Sequence, residues 1–224
     1  MTTLPTTGPS LPTSRAGPKL NRALWGLMAF LSLGVAVVSY RYLPRLGVLP
    51  PDILRNLFAR PWLDVHVAGA ATALLIGPLQ FLPRLRARYR QVHRWVGRTY
   101  VVACLGGAVG GLFLAFGTTA GPIATAGFGS LAVVWFFVNV QGWRRAMDRR
   151  FDEHRAWMIR SFALTFAAVT LRLYVPLAMA LGFPFLDAYR AISFLAWVPN
   201  LILAELYIRG AFARRTSLAA AAGA

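Results

Sequence analysis

The stretch Thr99–Trp143 reads TYVVACLGGAVGGLFLAFGTTAGPIATAGFGSLAVVWFFVNVQGW and holds no charged side chain in 45 residues. A helix needs about 20 apolar residues to cross the ~30 Å hydrocarbon core of a bilayer. The stretch is long enough for two crossings, and Gly117 to Pro122 interrupts it where a turn would join them. A soluble helical hairpin would carry polar positions at helical period on its wet face, and these are missing. Similar apolar windows lie at about 24–40, 63–82, 96–116, 121–143, 157–181 and 191–208. With 57% hydrophobic residues and a mean hydropathy of +0.55, the sequence predicts an all-α integral membrane protein. Its fold is a bundle of about six transmembrane helices forming one polytopic domain over residues 19–210.

The arginines set the orientation. The expected inner side carries Arg15, Lys19 and Arg22, then Arg84, Arg86, Arg88, Arg90, Arg94 and Arg98. It also carries Arg144, Arg145, Arg149, Arg150, Arg155 and Arg160, and finally Arg209, Arg214 and Arg215. The opposite side has Arg41, Arg45, Arg55, Arg60 and Arg190, which makes 18 basic residues against five, with Arg172 inside a span. The positive-inside rule then predicts N-in and C-in. Twenty-three arginines against one lysine, with abundant Ala and Gly, suit a GC-rich bacterial genome, so the expected location is the bacterial inner membrane.

The net charge of +17 would suggest nucleic acid in a soluble chain. Here the cations flank spans, so their expected partner is the bilayer with its anionic cytoplasmic leaflet, and no nucleic acid. The Thr-, Pro- and Ser-rich residues 1–18 read as a disordered cytoplasmic tail without the cleavage site of a secretory signal, and 211–224 as a second cytoplasmic tail. Outside, Ile53, Leu54, Leu57, Phe58 and Trp62 recur at helical spacing and predict an interfacial amphipathic helix, with Asp52 as its cap.

Small residues predict helix contacts. Gly69, Ala73 and Gly77 line one side of the second span, and Gly106, Gly107, Gly110 and Gly111 form two overlapping GxxxG pairs in the third. The glycine-rich third helix is also the expected contact for a second copy of the chain. Pro78, Pro122, Pro176 and Pro199 should mark kinks or ends.

Few residues could carry chemistry. Cys104 is the lone cysteine, which excludes an intramolecular disulfide and a cysteine pair for zinc. No HExxH or GxSxG motif occurs and there are only seven carboxylates, so no catalytic residue is assigned. Asp148, Asp152 and Glu153 read as solvated partners of nearby arginines, and Glu205 as the partner of another. The three histidines stand out. His93-Arg94-Trp95 is followed by Arg98, and His154-Arg155-Ala156-Trp157 by Arg160, as in a short internal repeat at the inner ends of spans three and five. His66 lies near the outer end of span two, two residues after Asp64. His154 and Arg172 are 18 residues apart, five helical turns, so one face of span five should carry both, with Ser161 and Thr165 between. An arginine at depth is costly unless paired or wetted, so Asp64, His66 and Arg172 are expected to form an outer cluster.

Two blocks, His66 through Gln80-Phe81 to Val92-His93-Arg94-Trp95-Val96-Gly97-Arg98-Thr99-Tyr100 and Glu153-His154-Arg155-Ala156-Trp157-Met158-Ile159-Arg160-Ser161 with Arg172, resemble an uncharacterised bacterial membrane family, domain of unknown function 2306. The resemblance covers roughly residues 60–180 and includes all three histidines. It implies a helical membrane fold and brings no activity.

Two functional readings follow. In the first, His93 and His154 are axial ligands of a b-type haem in a haem- or quinone-linked electron-transfer protein, with glycines of span three leaving room for the macrocycle. His66 and Arg172 then bind or tune something nearer the outside, Met179 being a weak partner for His66. In the second, a small anion or lipid headgroup is bound or transported, with Arg94 and Arg155 beside their histidines as contacts and Arg172 as an internal countercharge. A structural membrane protein without cofactor is the remaining alternative.

Overall fold

The computed structural model describes residues 18–43 and 55–222. The expected tail at 1–18 and the Asp52 cap therefore lie almost wholly outside the described residues. The helices are α1 (Pro18–Tyr40), α2 (Ala59–Ile76), the short α3 (Pro83–Arg88), α4 (Arg90–Phe116), α5 (Pro122–Met147), α6 (Phe151–Thr165), α7 (Ala167–Ala180), α8 (Phe185–Leu195) and α9 (Val198–Ala222). A 3-10 turn over Gly77–Phe81 follows α2. Six stretches are long and apolar enough to cross a membrane: Arg22–Tyr40, Ala59–Phe81, Arg90–Phe116, Pro122–Met147, Phe151–Ala180 and Phe185–Gly210. The chain is an all-helical multi-pass membrane protein.

Several helices overrun the apolar windows at their arginine-rich ends. α4 begins at Arg90 and α6 at Phe151, each a turn or more before the expected span. Arginine stems can lie along apolar surface while the guanidinium reaches water, so a charged residue does not end a helix. The prolines fall where breaks occur. Pro78 sits in the 3-10 turn, Pro122 opens α5, Pro176 lies inside α7, and Pro199 is the second residue of α9. Gly121 takes φ +94°, a backbone open to glycine at little cost, and lets the chain turn directly into α5.

Span five does not continue as one helix. Thr165 turns its hydroxyl back onto Ser161 O (2.9 Å), and Val169 N bonds Phe166 O three residues back. Back-bonding of this kind bends helices. The polar stripe expected from His154 to Arg172 is accordingly divided: Ser161 and Thr165 face α4 and α5, whereas Arg172 reaches Ser39 of α1.

The small residues of α2 and α4 are consumed in their mutual contact. A Cβ on Gly69 would fall 2.5 Å from Gly107 N and closer still to Ala103 O. One on Gly110 would meet His66 N at 2.7 Å and Trp62 O at 2.8 Å, and one on Gly107 would meet Trp135. The glycine face therefore leaves no room for a macrocycle, contrary to the expectation above, because α2 already fills it. Gly106 alone of the four points into open space.

At the outer end, Asn56 Nδ2 donates to Leu114 O (2.8 Å) while its Oδ1 accepts from Phe58 N (2.9 Å). This anchor holds Leu57 and Phe58 in a turn; of the other residues of the expected amphipathic helix, Trp62 belongs to α2, and Ile53 and Leu54 lie outside the described residues. Trp62 stacks on Phe113 with centroids 3.8 Å apart. Arg190 fastens α8 to the α4–α5 turn through Ala120 O (2.8 Å). At the other end Arg160 of α6 grips both carboxylate oxygens of Glu205 in α9, Nη2 to Oε2 at 3.0 Å.

Candidate functional site

The two histidine segments open their helices in the same way, although the Trp–Arg pair follows the histidine one residue later in the second. Tyr89 (φ −120°, ψ 59°) and Arg150 (φ −84°, ψ 70°) are non-helical, so α4 and α6 each start on the next residue. His93 and His154 are therefore both fourth in their helices. Their N–H groups close the first backbone bonds, to Tyr89 O (3.0 Å) and Arg150 O (2.9 Å). In each helix an arginine lies over the tryptophan three residues before it, Arg98 on Trp95 (5.0 Å) and Arg160 on Trp157 (4.7 Å). The two helices run in the same direction, each packed on α5, and His93 lies within electrostatic reach of His154 and of Arg86.

The imidazoles are not equally satisfied. His154 Nδ1 lies 2.8 Å from Gly142 O, an acceptor only, so Nδ1 carries the proton and the neutral ring keeps its lone pair on Nε2. His93 Nδ1 is buried without a partner, and so is Gln80 Nε2. Gln80 lies against Gly97, one helical turn beyond His93 on the same side of α4. Phe81, the next residue, packs edge-on against Phe162 with centroids 5.3 Å apart. Around this end Arg94 and Arg155 are exposed, and Glu153 pairs with Arg145 (3.1 Å) and Arg150.

Two turns deeper lies a buried polar network that the sequence reading missed. Tyr100 OH is 2.9 Å from both Ser161 Oγ and Thr165 Oγ1. Ser161 Oγ donates to Asn139 Oδ1 (2.8 Å), Thr165 Oγ1 donates to Ser161 O, and Trp135 Nε1 donates to Thr165 Oγ1 (3.1 Å). Both hydroxyl protons are thus committed elsewhere, so the single Tyr100 proton is shared between two acceptors. Cys104 Sγ lies 3.9 Å from Thr165 Oγ1. Ser161 and Thr165 were visible as a stripe, and Asn139 in an uncharged stretch was the further signal.

At the other end, His66 Nδ1 lies 2.8 Å from Gly107 O and its ring rests against Gly111. Arg172 is within electrostatic reach of His66, and donates to Ser39 Oγ (3.0 Å) and Ala168 O (3.1 Å). Asp64 is not part of this cluster and forms no ion pair among the described residues. Residues two apart on a helix point to different sides, so the face that sets His66 against α4 turns Asp64 away. Met179 is exposed near the end of α7 and lines no site with His66.

Residues 63–208 match the model of a family described as a predicted membrane protein, DUF2306. The chain belongs to that family. Neither a curated protein nor a solved structure matches it. The DUF2306 match begins at Leu63 and ends at Ile208, so it runs beyond the expected segment into span six and leaves span one outside. All three histidines, Arg172 and the buried network fall within it.

Proposed function

We propose that this DUF2306 protein is a membrane electron carrier in which His93 and His154 ligate a b-type haem at the arginine-rich face. Two imidazoles at the fourth position of two helices that run the same way, one within electrostatic reach of the other, support the reading. A bare zinc ion needs at least three protein donors, and among the described residues no three His, Cys, Asp or Glu side chains are grouped to hold a metal. Two imidazoles suffice where a porphyrin provides the other four nitrogens. The Gly142 carbonyl fixes the His154 tautomer with Nε2 as the ligating atom, the usual office of an outer partner. Arg86, within electrostatic reach of His93, and Arg94 and Arg155, each next to a histidine in sequence, would neutralise propionates, and the unpartnered His93 Nδ1 and Gln80 Nε2 mark polar capacity at the same end. Since the glycine face is filled, the occupant would sit at this end beside Gln80. When bound, haem supplies one-electron chemistry; the chain orients the ligands and holds the charge.

The test is an absorption spectrum of protein expressed with ample haem, oxidised and then reduced with dithionite. Sharp reduced α and β bands lost in His93→Ala and in His154→Ala, but kept in His66→Ala, support the reading. A featureless spectrum, or bands indifferent to both substitutions, overturns it.

The reading takes the arginine-rich face as cytoplasmic and the membrane as the bacterial inner membrane, supported by the 18-to-five distribution of cations. A second reading, anion binding, is favoured by Arg172 itself. This cation has hydroxyl and carbonyl partners but no carboxylate among the described residues, and Arg41 adds like charge nearby. Phosphate or acetate should then raise the melting temperature of the wild type and not of Arg172→Gln; an equal response of both sets this reading aside.

A further inference from the structure

A furrow of about 490 Å3 opens toward the lipid between α2 and α4, lined by Gly69 of α2 and by Trp95, Arg98, Thr99, Val102 and Ala103 of α4. It begins beside the arginine-rich end at Trp95 and Arg98 and closes at Gly69 and Ala103, where the two backbones touch. From Trp95 to Ala103 the helix rises about 12 Å, nearly one leaflet of hydrocarbon. Its walls are apolar: Val102 is 67% exposed, and the Thr99 hydroxyl bonds Trp95 O (3.1 Å), leaving its methyl to the furrow. Arg98 stands exposed at the mouth, braced on the Trp95 ring, without an ion pair among the described residues. Arg94 lies one turn nearer the surface.

We propose that this furrow binds an anionic phospholipid of the arginine-rich leaflet. One acyl chain lies along Val102, Ala103 and Gly69, and the phosphate meets Arg98. Length selects the occupant. A transmembrane helix of a second copy would run through both leaflets, whereas the furrow ends at mid-bilayer on the Gly69–Gly107 contact. Charge selects the headgroup, because Arg98 offers a planar donor fork and pairs with no acid among the described residues. Trp95, with an apolar body and a polar edge, belongs at that depth.

The full-length protein, released from mixed phosphatidylglycerol and phosphatidylcholine nanodiscs, would be weighed by native mass spectrometry. The wild type should retain one phosphatidylglycerol in preference to phosphatidylcholine. Arg98→Gln should lower that preference about fivefold, the factor that ~1 kcal/mol per arginine at an anionic surface implies. Val102→Trp, at a position too exposed for folding to depend on it, should fill the furrow and abolish retention of either lipid. Arg88→Gln, on the same side but outside the furrow, should leave the preference unchanged. Equal loss in Arg88→Gln and Arg98→Gln would mean diffuse attraction and overturn the proposal. So would retention in Val102→Trp, or no lipid held by the wild type.

Discussion

Tyr100 of α4 and Ser161 of α6 are joined by a 2.9 Å hydrogen bond, and each stands seven residues beyond the histidine in the first turns of its helix. Tyr100 and Ser161 thus hold matching places in two similar segments, and His93 lies within electrostatic reach of His154. A fully buried polar contact therefore ties α4 to α6 two turns beyond the histidines.

The shared Tyr100 proton makes a quantitative prediction. Tyr100→Phe should cost about 1 kcal/mol of stability, and Ser161→Ala somewhat more because Asn139 Oδ1 then loses its donor. A double-mutant cycle on reversible unfolding in bicelles should give a coupling of about 0.6–1.7 kcal/mol, the range found for polar contacts between membrane helices. Strict additivity would show that the two side chains act independently.

Glycines of similar sequence context should respond in opposite ways. Gly69→Ala places a methyl against the backbone of α4, which cannot yield as a flexible side chain would. It should lower the melting temperature sharply or prevent a monodisperse preparation. Gly106→Ala meets nothing within 4 Å and should match the wild type on the same gel-filtration and thermal-shift assay.

Glu205→Gln tests the clamp between α6 and α9. The bidentate pair with Arg160 is only partly exposed, 20% and 32% for the two side chains, so losing it should cost about 1.5–3 kcal/mol. Exposure to solvent places the effect toward the lower end. Loss of an exposed charge, as in Arg155→Gln, should change the unfolding midpoint little.

Orientation can be read with cysteines. Thr119 lies in the turn between α4 and α5 and Asp148 at the end of α5, both exposed and at opposite ends of that helix. In intact cells Thr119→Cys should react with a membrane-impermeant maleimide and Asp148→Cys should not. The reverse pattern would place the arginine-rich face outside.

Much of the fold was legible because a bilayer imposes a length and a polarity that any sequence must meet. The break within span five was not legible. Neither Gly nor Pro stands at Phe166, and the bend follows from a Thr165 hydroxyl whose other partners, Tyr100 and Trp135, come from two different helices. The same break separated Arg172 from the face of His154, so a five-turn alignment that holds for a straight helix failed here.

By itself the sequence determined the six spans, their arginine-marked ends, the small-residue faces of α2 and α4, and the resemblance of the His93 and His154 segments. These are properties of single segments, set by transfer to hydrocarbon and by backbone approach. Only the tertiary structure decided that Tyr100 meets Ser161, that Arg172 reaches Ser39, and that α2 fills the glycine face. Each depends on the rotation of one helix about its axis relative to another. That rotation is set by side chains from several spans at once, and no single stretch of the chain contains it.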